Sequence, residues 1–220
     1  MSLEGKVALV TGASRGIGRA IAESLIARGA VVLGTATSES GAENITNYIN
    51  EAGGNGRGFC LNVTDPANID VVMNEIQKEY GVPQVLVNNA GITRDNLMLR
   101  MKEEEWDQVI AVHLKGHFCI SSHAVHYWRD QFKQGHKVDA RIINTSSGAG
   151  LNGSIGQSNY AAAKGGIASL TLNQAAELRR YGITVNGLAP AARTSMSEDA
   201  FADMMKKPED GSFDHYDPAN

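Results

Sequence analysis

The sequence predicts a single α/β domain over residues 1–220, with a doubly wound parallel β-sheet covered by helices on both faces. Three observations lead to this prediction. Six short apolar runs alternate with stretches of helical periodicity along a chain of 220 residues, a length that suits one sizeable domain. The first apolar run turns through closely spaced glycines into a helix. Polar motifs follow the ends of the later runs, where such sheets bind their ligands.

Composition excludes several functional classes. The chain is 42% hydrophobic and 20% charged, with a formal net charge of −4 and no run of Lys or Arg, so nothing favours nucleic-acid binding. No apolar stretch approaches the roughly 20 residues of a membrane span, and the N-terminus lacks the apolar core of a signal peptide. Two distant cysteines are typical of reduced thiols. We therefore expect a cytoplasmic protein without nucleic-acid or membrane partners.

The first structural unit predicts dinucleotide binding. Residues 6–10 are mostly apolar and β-favouring, as a strand buried on both faces requires. The glycines Gly12, Gly16 and Gly18 then lead into a helix over 19–28. Such a turn lets backbone N–H groups and the helix N-terminus approach a pyrophosphate closely. The spacing differs from Gly-x-Gly-x-x-Gly, and a plain tight turn is the alternative.

The second strand, predicted over 30–36, indicates which dinucleotide binds. A carboxylate at its end would bind the adenosine ribose and favour NAD, but no carboxylate precedes Glu39. Arg15 offers a cation and Thr37 a hydroxyl donor for a 2′-phosphate. NADP is therefore expected, although Arg15 could also be a solvated turn residue.

The remaining elements follow from periodicity and breakers. A glycine-rich segment predicts a flexible turn over 53–58, and Asp65-Pro66 forms a helix start, an N-cap followed by proline. The predicted helices are 43–51, 65–80, a long one from Glu103, and 159–181; the predicted strands are 59–63, 84–88, 140–145 and 183–188. The long helix should bury one apolar face formed by Trp106, Val109, Ile110, Leu114, Phe118 and Val125.

Three motifs together resemble the short-chain dehydrogenase/reductase family. They are the glycine turn, Asn88-Asn-Ala-Gly91 and Tyr160-x-x-x-Lys164, in the expected order. The resemblance covers nearly the whole chain and implies a Rossmann-type fold with a nicotinamide cofactor. It implies that the cofactor contacts Gly12, Ser14, Arg15, Gly16, Ile17, Gly18, Thr37, Asn62, Val63, Asn89, Ala90, Gly91, Tyr160, Lys164, Pro190 and Thr194.

The same resemblance implies the catalytic roles. Tyr160 would transfer a proton, and Lys164, on the same helix face, would lower the pKa of the phenol and bind the nicotinamide ribose. Ser147 lies thirteen residues before Tyr160, the family spacing for the serine that hydrogen-bonds the substrate carbonyl. Ser146 is the alternative register.

One catalytic position departs from the family pattern. His113 stands where many members carry an asparagine that holds a water in the proton relay. It could hold that water through its backbone or be purely structural. His113 and His117 also have a metal-ligand spacing, but no third ligand is evident, and we expect no metal.

Within the family, residues 4–106 resemble bacterial 3-oxoacyl-[acyl-carrier-protein] reductases, and the stretch after His113 resembles members that act on acyl-CoA. The resemblance implies NADPH-dependent reduction of 3-oxoacyl thioesters. The alternatives are a general carbonyl reductase or alcohol dehydrogenase and a catalytically impaired NADP-binding protein. An acyl carrier protein is a possible partner, which Arg129 and Lys133 could attract, although a solvated helix face explains them too. Small residues in helix 159–181 favour helix pairing between subunits, as a homodimer or homotetramer.

The C-terminal part departs from the family in two places. Pro190 is followed by Ala191 where most members have Pro-Gly, and residues 190–210 are expected to cover the substrate. The family's last strand is not recognisable. Its absence would leave an unpaired sheet edge and predicts lower stability or altered assembly. The two halves resemble different relatives, which a mosaic gene would explain.

Overall fold

The computed structural model describes residues 2–192, 207–208 and 212–218. The strands are β1 (Val7–Val10), β2 (Val31–Ala36), β3 (Asn55–Cys60), β4 (Val85–Asn88), β5 (Ala140–Thr145) and β6 (Ile183–Leu188). The helices are α1 (Gly16–Ile26), α2 (Glu39–Glu51), α3 (Pro66–Tyr80), α4 (Glu103–Ile110), α5 (Gly116–Lys133), α6 (Gly148–Asn152) and α7 (Ser158–Leu178). A π-helical turn (Ala111–Lys115) joins α4 to α5, and a 3-10 turn (Arg179–Tyr181) follows α7.

The six described strands form one parallel sheet in the order β3-β2-β1-β4-β5-β6. Chain order reverses between β1 and β4, which pair in register from Ala8 with Val85 to Val10 with Val87. A crevice for ligands therefore opens at the carboxyl ends of these two strands. The predicted doubly wound α/β fold is confirmed.

Each face of the sheet has its own apolar core. Alternate residues of a strand point to opposite faces, so Leu9 joins the cluster under α3 and α5, whereas Ala8 and Val10 join the cluster under α1 and α2. The buried side chains of both clusters have almost no surface exposed to solvent. Burial on both faces explains why the central strands are continuous apolar runs.

The third strand was predicted wrongly. The expected turn at 53–58 is largely β3, which begins at Asn55 and ends at Cys60. A β-carbon on Gly56 would lie 1.9 Å from the carbonyl oxygen of Val32, and one on Gly58 would lie 1.9 Å from that of Ala42. The glycines therefore permit close packing against β2 and α2 and do not indicate a flexible turn. Helix α2 also begins four residues earlier than predicted, at Glu39.

The inner face of the long helix also differs from the prediction. Trp106 and Phe118 were expected inside but are 37% and 54% exposed. The π-helical turn inserts extra rotation between α4 and α5 and shifts the buried face. That face carries Val109, His113, Gly116, His117, Ile120, Ser121, Ala124 and Trp128.

Several expectations concern the C-terminal part. In the described part of the chain the sheet has six strands, with β6 at one edge. Most of the expected substrate-covering segment, 190–210, lies outside the described residues. No helix within the described ranges is long and apolar enough to cross a membrane. No group of three or more potential metal-ligating side chains occurs among those residues.

Candidate active site

The glycine turn between β1 and α1 forms a backbone cradle. Gly12 and Gly16 have φ values of +67° and +57°, which disfavour other residues. A β-carbon on Gly18 would lie 2.2 Å from the carbonyl oxygen of Gly12, so α1 packs directly on the turn. No side chain caps the N-terminus of α1, and its first turn contains no acidic residue. An anion can therefore approach these N–H groups. The other turn residues expected at the cofactor are Ser14, Arg15 and Ile17.

The Asn-Asn-Ala-Gly loop is tied to this cradle. The hydroxyl of Thr11 accepts hydrogen bonds from the backbone N–H groups of Asn89 at 2.9 Å and Ala90 at 3.0 Å. The side-chain amide of Asn89 donates to the carbonyls of Thr11 and Gly12 at 3.1 and 3.2 Å. A β-carbon on Gly12 would lie 2.9 Å from Cα of Ala90. The two loops therefore form one rigid wall of the crevice.

The adenosine end of the crevice carries no carboxylate directly after β2. Thr37 is exposed at the end of that strand, and Arg15 is exposed at the start of α1. The first carboxylate, Glu39, lies beside the thiol of Cys60 and raises the pKa of that thiol together with burial, which is the larger cause.

The two residues expected at the adenine differ in exposure. Asn62 is exposed, and its side-chain oxygen accepts hydrogen bonds from the N–H and hydroxyl of Thr64 at 3.0 and 2.8 Å. The side chain of Val63 is buried and faces Gly116, where an added β-carbon would lie 2.9 Å from it. On the opposite side, Pro190 follows β6, whereas Thr194 lies outside the described residues.

The two serines after β5 have different surroundings. Ser146 is buried, and its hydroxyl donates to the carbonyl of Lys164 at 2.8 Å. Ser147 is half-buried at the N-cap of α6, where its oxygen accepts from the N–H of Ala149 at 3.2 Å. Its hydroxyl also lies near enough to the Tyr160 phenol to lower the pKa of that phenol. This geometry favours Ser147 as the serine that faces a substrate.

Tyr160 and Lys164 lie one turn apart on α7, and the Lys164 Nζ atom lies 5.5 Å from the Tyr160 ring centroid. Lys164 is only 2% exposed, and its Nζ donates to the carbonyl of Thr145 at 2.6 Å. Ser147, Tyr160 and Lys164 therefore converge at the carboxyl end of β5.

The expected lowering of the Tyr160 pKa is not found. Burial raises the pKa of the Tyr160 phenol, the Ser147 hydroxyl partly offsets this, and Asp95 raises it further. Burial also lowers the pKa of Lys164 to about 7. A group that titrates near neutral pH carries only part of its charge there, and Nζ is directed to a carbonyl. The charge of Lys164 is therefore not the main influence on the pKa of the Tyr160 phenol in this structure.

His113 lies in the π-helical turn and packs against the ring of Tyr160. Its ring is perpendicular to that of Tyr160, with the centroids 5.2 Å apart. A β-carbon on Gly91 would lie 2.4 Å from its Cε1 atom. Its Nε2 atom lies 2.7 Å from the carbonyl oxygen of Ile92 and 3.0 Å from its nitrogen. The side chain thus supports both the cofactor-side loop and Tyr160, while burial and the charge of Lys164 lower its pKa to about 3.

Three supporting residues were not identified from the sequence. The amide of Asn159, which precedes Tyr160, donates to backbone carbonyls of the loop after β4 and of α4, at 2.9 and 3.1 Å. The hydroxyl of Thr35 accepts from the N–H of Gly12 at 3.3 Å. The hydroxyl of Tyr48 donates to the carbonyl of Ala13 at 3.0 Å. Only their position as polar residues within apolar periodic runs could have indicated these roles.

The residues present fit a bound dinucleotide. A cradle that a β-carbon would fill, free N–H groups at a helix N-terminus and a convergent Ser-Tyr-Lys set lie along one crevice. The cradle would hold the pyrophosphate, and Lys164 with Tyr160 would face the nicotinamide end. A nicotinamide supplies hydride transfer.

Comparison with known proteins agrees with this geometry. The family described as short chain dehydrogenase matches residues 6–205. The chain is 54% identical over 190 residues to the 3-oxoacyl-[acyl-carrier-protein] reductase FabG of Salmonella typhimurium, and 53% to that of Escherichia coli; in both cases 86% of this chain and 74% of the relative are covered. It is 45% identical over 206 residues to the hydroxyacyl-CoA dehydrogenase ChsB1 of Mycobacterium tuberculosis, covering 90% of this chain and 65% of that relative.

A solved structure is similar as well. The crystal structure of a short chain dehydrogenase from Mycobacterium avium superposes with a TM-score of 0.84 at 48% identity, covering 89% of this chain and 70% of the other. The family match over residues 6–205 includes both the strand–turn–helix unit and the tyrosine helix. The chain is therefore a member of the short-chain dehydrogenase/reductase family and an oxidoreductase related to the 3-oxoacyl reductases.

Proposed function

We propose that this protein reduces 3-oxoacyl thioesters, carried on an acyl carrier protein or coenzyme A, to 3-hydroxyacyl thioesters with NADPH. The observation that carries the proposal is the convergence of Ser147, Tyr160 and Lys164 beside a dinucleotide cradle. Relatives that are 53–54% identical and named for 3-oxoacyl-[acyl-carrier-protein] reduction favour this substrate class.

Each of the three residues has one role in this proposal. The Ser147 hydroxyl donates to the keto oxygen and holds the carbonyl against the nicotinamide face. The Tyr160 hydroxyl gives its proton to that oxygen as negative charge develops on it. Burial raises the pKa of this phenol, so it is protonated and able to donate at neutral pH. Lys164 binds ribose hydroxyls and supplies positive charge near the phenol.

We propose NADPH rather than NADH because a cation and a hydroxyl at the adenosine end of the crevice can bind the 2′-phosphate, which only NADPH carries. Arg15 and Thr37 are exposed where a 2′-phosphate would lie. Hydrogen bonds to charged groups contribute about 1.5–3 kcal/mol, so Arg15→Ala should weaken NADPH binding by roughly 10- to 100-fold and leave NADH binding nearly unchanged. Arg28→Ala, two residues after the end of α1, is the matched control. Equal losses for both cofactors would contradict the assignment.

The central experiment measures NADPH oxidation with acetoacetyl-CoA. We expect turnover by the parent chain and a loss of roughly 10²–10⁴-fold in kcat for Tyr160→Phe, the usual contribution of a general acid. NADPH binding, followed by fluorescence titration, should persist in that variant. Tyr80→Phe, at the end of α3, controls for the loss of a phenol elsewhere. Full turnover by Tyr160→Phe would refute the proposed chemistry.

The two alternative functions give different results in the same experiment. Tight NADPH binding without turnover of any thioester, but with turnover of simple ketones, would indicate a general carbonyl reductase. Binding without any turnover would indicate an impaired NADP-binding protein. The Ser147 hydroxyl, which lowers the pKa of the Tyr160 phenol, favours an active enzyme over the latter.

Assembly as a homodimer or homotetramer is also proposed. Two of the small residues in α7 are used within the chain, since Gly165 packs on Gly150 and Gly166 on Leu114. The outer faces of α5 and α7 nevertheless expose Phe118 and Leu172, at 54% and 74%, and such apolar side chains favour association. A cytoplasmic location and an acyl-carrier-protein partner belong to the same proposal.

A further inference from the structure

The glycine turn between β1 and α1 divides its backbone N–H groups into two sets. The N–H groups of Gly12 and Ala13 are used within the fold, where they donate to the hydroxyl and the carbonyl of Thr35 at 3.3 and 2.9 Å. The N–H groups of Ser14 and Arg15 have no acceptor among the residues that the structure describes. The turn therefore presents two unpaired donors directly ahead of α1.

Two side chains of α2 bind the carbonyl groups next to these donors. The Tyr48 hydroxyl donates to the carbonyl of Ala13 at 3.0 Å, and the side-chain amide of Asn44 donates to the carbonyl of Ser14 at 3.4 Å. In a trans peptide, the C=O and N–H groups point in opposite directions, and both peptides are trans. Each bond to α2 therefore directs the following N–H group, that of Ser14 or Arg15, away from α2.

Tyr48 is held firmly in the orientation that this bond requires. Its side chain is 4% exposed and belongs to the apolar cluster under α1 and α2. Burial raises the pKa of the Tyr48 phenol, so the hydroxyl stays protonated and acts as a donor. The guanidinium carbon of Arg19, in the first turn of α1, lies 4.8 Å from the centre of the ring, and its Nε atom donates to Glu23 at 2.8 Å. Tyr48 thus links α2 to both the turn and α1.

We propose that Tyr48 and Asn44 are positioning residues for the dinucleotide, which hold two N–H groups of the turn in the orientation that binds one of its phosphate groups. The inference rests on the proposed binding of NADPH. Consecutive N–H groups on a turn form a concave site for anions, and the unpaired donors of Ser14 and Arg15 supply such a site. NADPH carries a pyrophosphate and a 2′-phosphate, which offer the same oxygen acceptors. Tyr48 and Asn44 act through the peptides whose carbonyls they bind.

Orienting the donors before binding increases affinity. Without the Tyr48 hydroxyl, the carbonyl of Ala13 loses its donor and its peptide is free to rotate, so the next N–H group must be ordered when the ligand binds. A hydrogen bond of this kind changes affinity by about 2- to 10-fold. The Asn44 bond is longer and its side chain is exposed, so its effect should be smaller.

The test measures NADPH binding by fluorescence titration in the absence of substrate. Tyr48→Phe should raise the Kd for NADPH about 3- to 10-fold, and Asn44→Ala about twofold. Tyr80→Phe, at the end of α3, and Asn47→Ala, at an exposed site of α2, are the matched controls and should bind as the parent does. In Tyr48→Phe the KM for NADPH should rise by a similar factor while kcat at saturating NADPH is unchanged. A merely structural bond would lower stability without this change in KM.

Displacement of NADPH by fragments identifies the phosphate group. If Tyr48→Phe binds ADP more weakly but adenosine 2′-monophosphate as the parent does, the pyrophosphate is the bound group. The reverse result would assign the 2′-phosphate. Adenosine, which carries no phosphate, should bind equally to Tyr48→Phe and to the parent.

Parent-like NADPH affinity in Tyr48→Phe, or an equal loss of affinity for adenosine, would overturn the inference and leave the proposed function standing. If Tyr48→Phe does not fold, equal NADPH affinities of Asn44→Ala and Asn47→Ala would overturn it. If the parent binds NADPH but reduces no thioester, the proposed reduction fails and the titrations still decide the role of the two α2 side chains. A parent that binds neither NADPH nor NADH would refute both proposals.

Discussion

The buried histidine pair predicts a strong loss of stability in mild acid. His113 and His117 have pKa values lowered from 6.5 to about 3, mainly by burial. Between these two values the unfolded chain binds protons that the folded chain does not. The free energy of unfolding therefore falls as pH decreases from about 6.5 to about 3 and is unaffected by these groups above that window. At about pH 5, each histidine should cost about 2 kcal/mol relative to neutral pH.

Together the pair should remove about 4 kcal/mol, a large share of the roughly 5–15 kcal/mol that stabilises most domains. The assay is urea unfolding at about pH 7.5 and about pH 5, at a fixed protein concentration because the proposed assembly would also add stability. His117→Gln should approximately halve the difference between the two pH values, whereas His136→Gln, at an exposed site, should leave it unchanged. A parent whose free energy of unfolding changes by less than about 1 kcal/mol would refute the reasoning.

Three further predictions concern packing, the cofactor cradle and assembly. Gly91→Ala places a β-carbon 2.4 Å from a buried imidazole and should lower the free energy of unfolding by about 1–3 kcal/mol; Gly148→Ala, which meets nothing within 4 Å, should be nearly neutral in the same urea titration. Tyr48→Phe removes the hydrogen bond to the Ala13 carbonyl and should cost about 1 kcal/mol of stability; a melting temperature equal to that of the parent would contradict this. Leu172→Glu should shift sedimentation velocity toward smaller species, and an unchanged profile would show that α7 is not in an interface.

The sequence was sufficient for elements whose local signals agree. The predicted bounds of β5 and β6 match the observed bounds at every residue. The start of α3 was predicted from an N-cap aspartate and a proline, whose effects are local. The Tyr160–Lys164 pair followed from helical spacing, because residues four apart share one face. The predicted strand at 59–63 failed because a local rule assigns glycines to turns, and only the neighbouring strand and helix explain why β3 requires them.

The sequence by itself determined the fold class, because periodicity and turn glycines are local properties, and the resemblance of its motifs indicated the family and a candidate set of site residues. Only the tertiary structure decided the pKa values of the side chains in the site. Burial, which no single residue encodes, raises the pKa of Tyr160 and lowers that of Lys164. The π-helical turn in the long helix also changes which residues are buried, so that His113 and His117 face the core while Trp106 and Phe118 do not. These effects depend on which elements pack together, and packing is set by the whole chain.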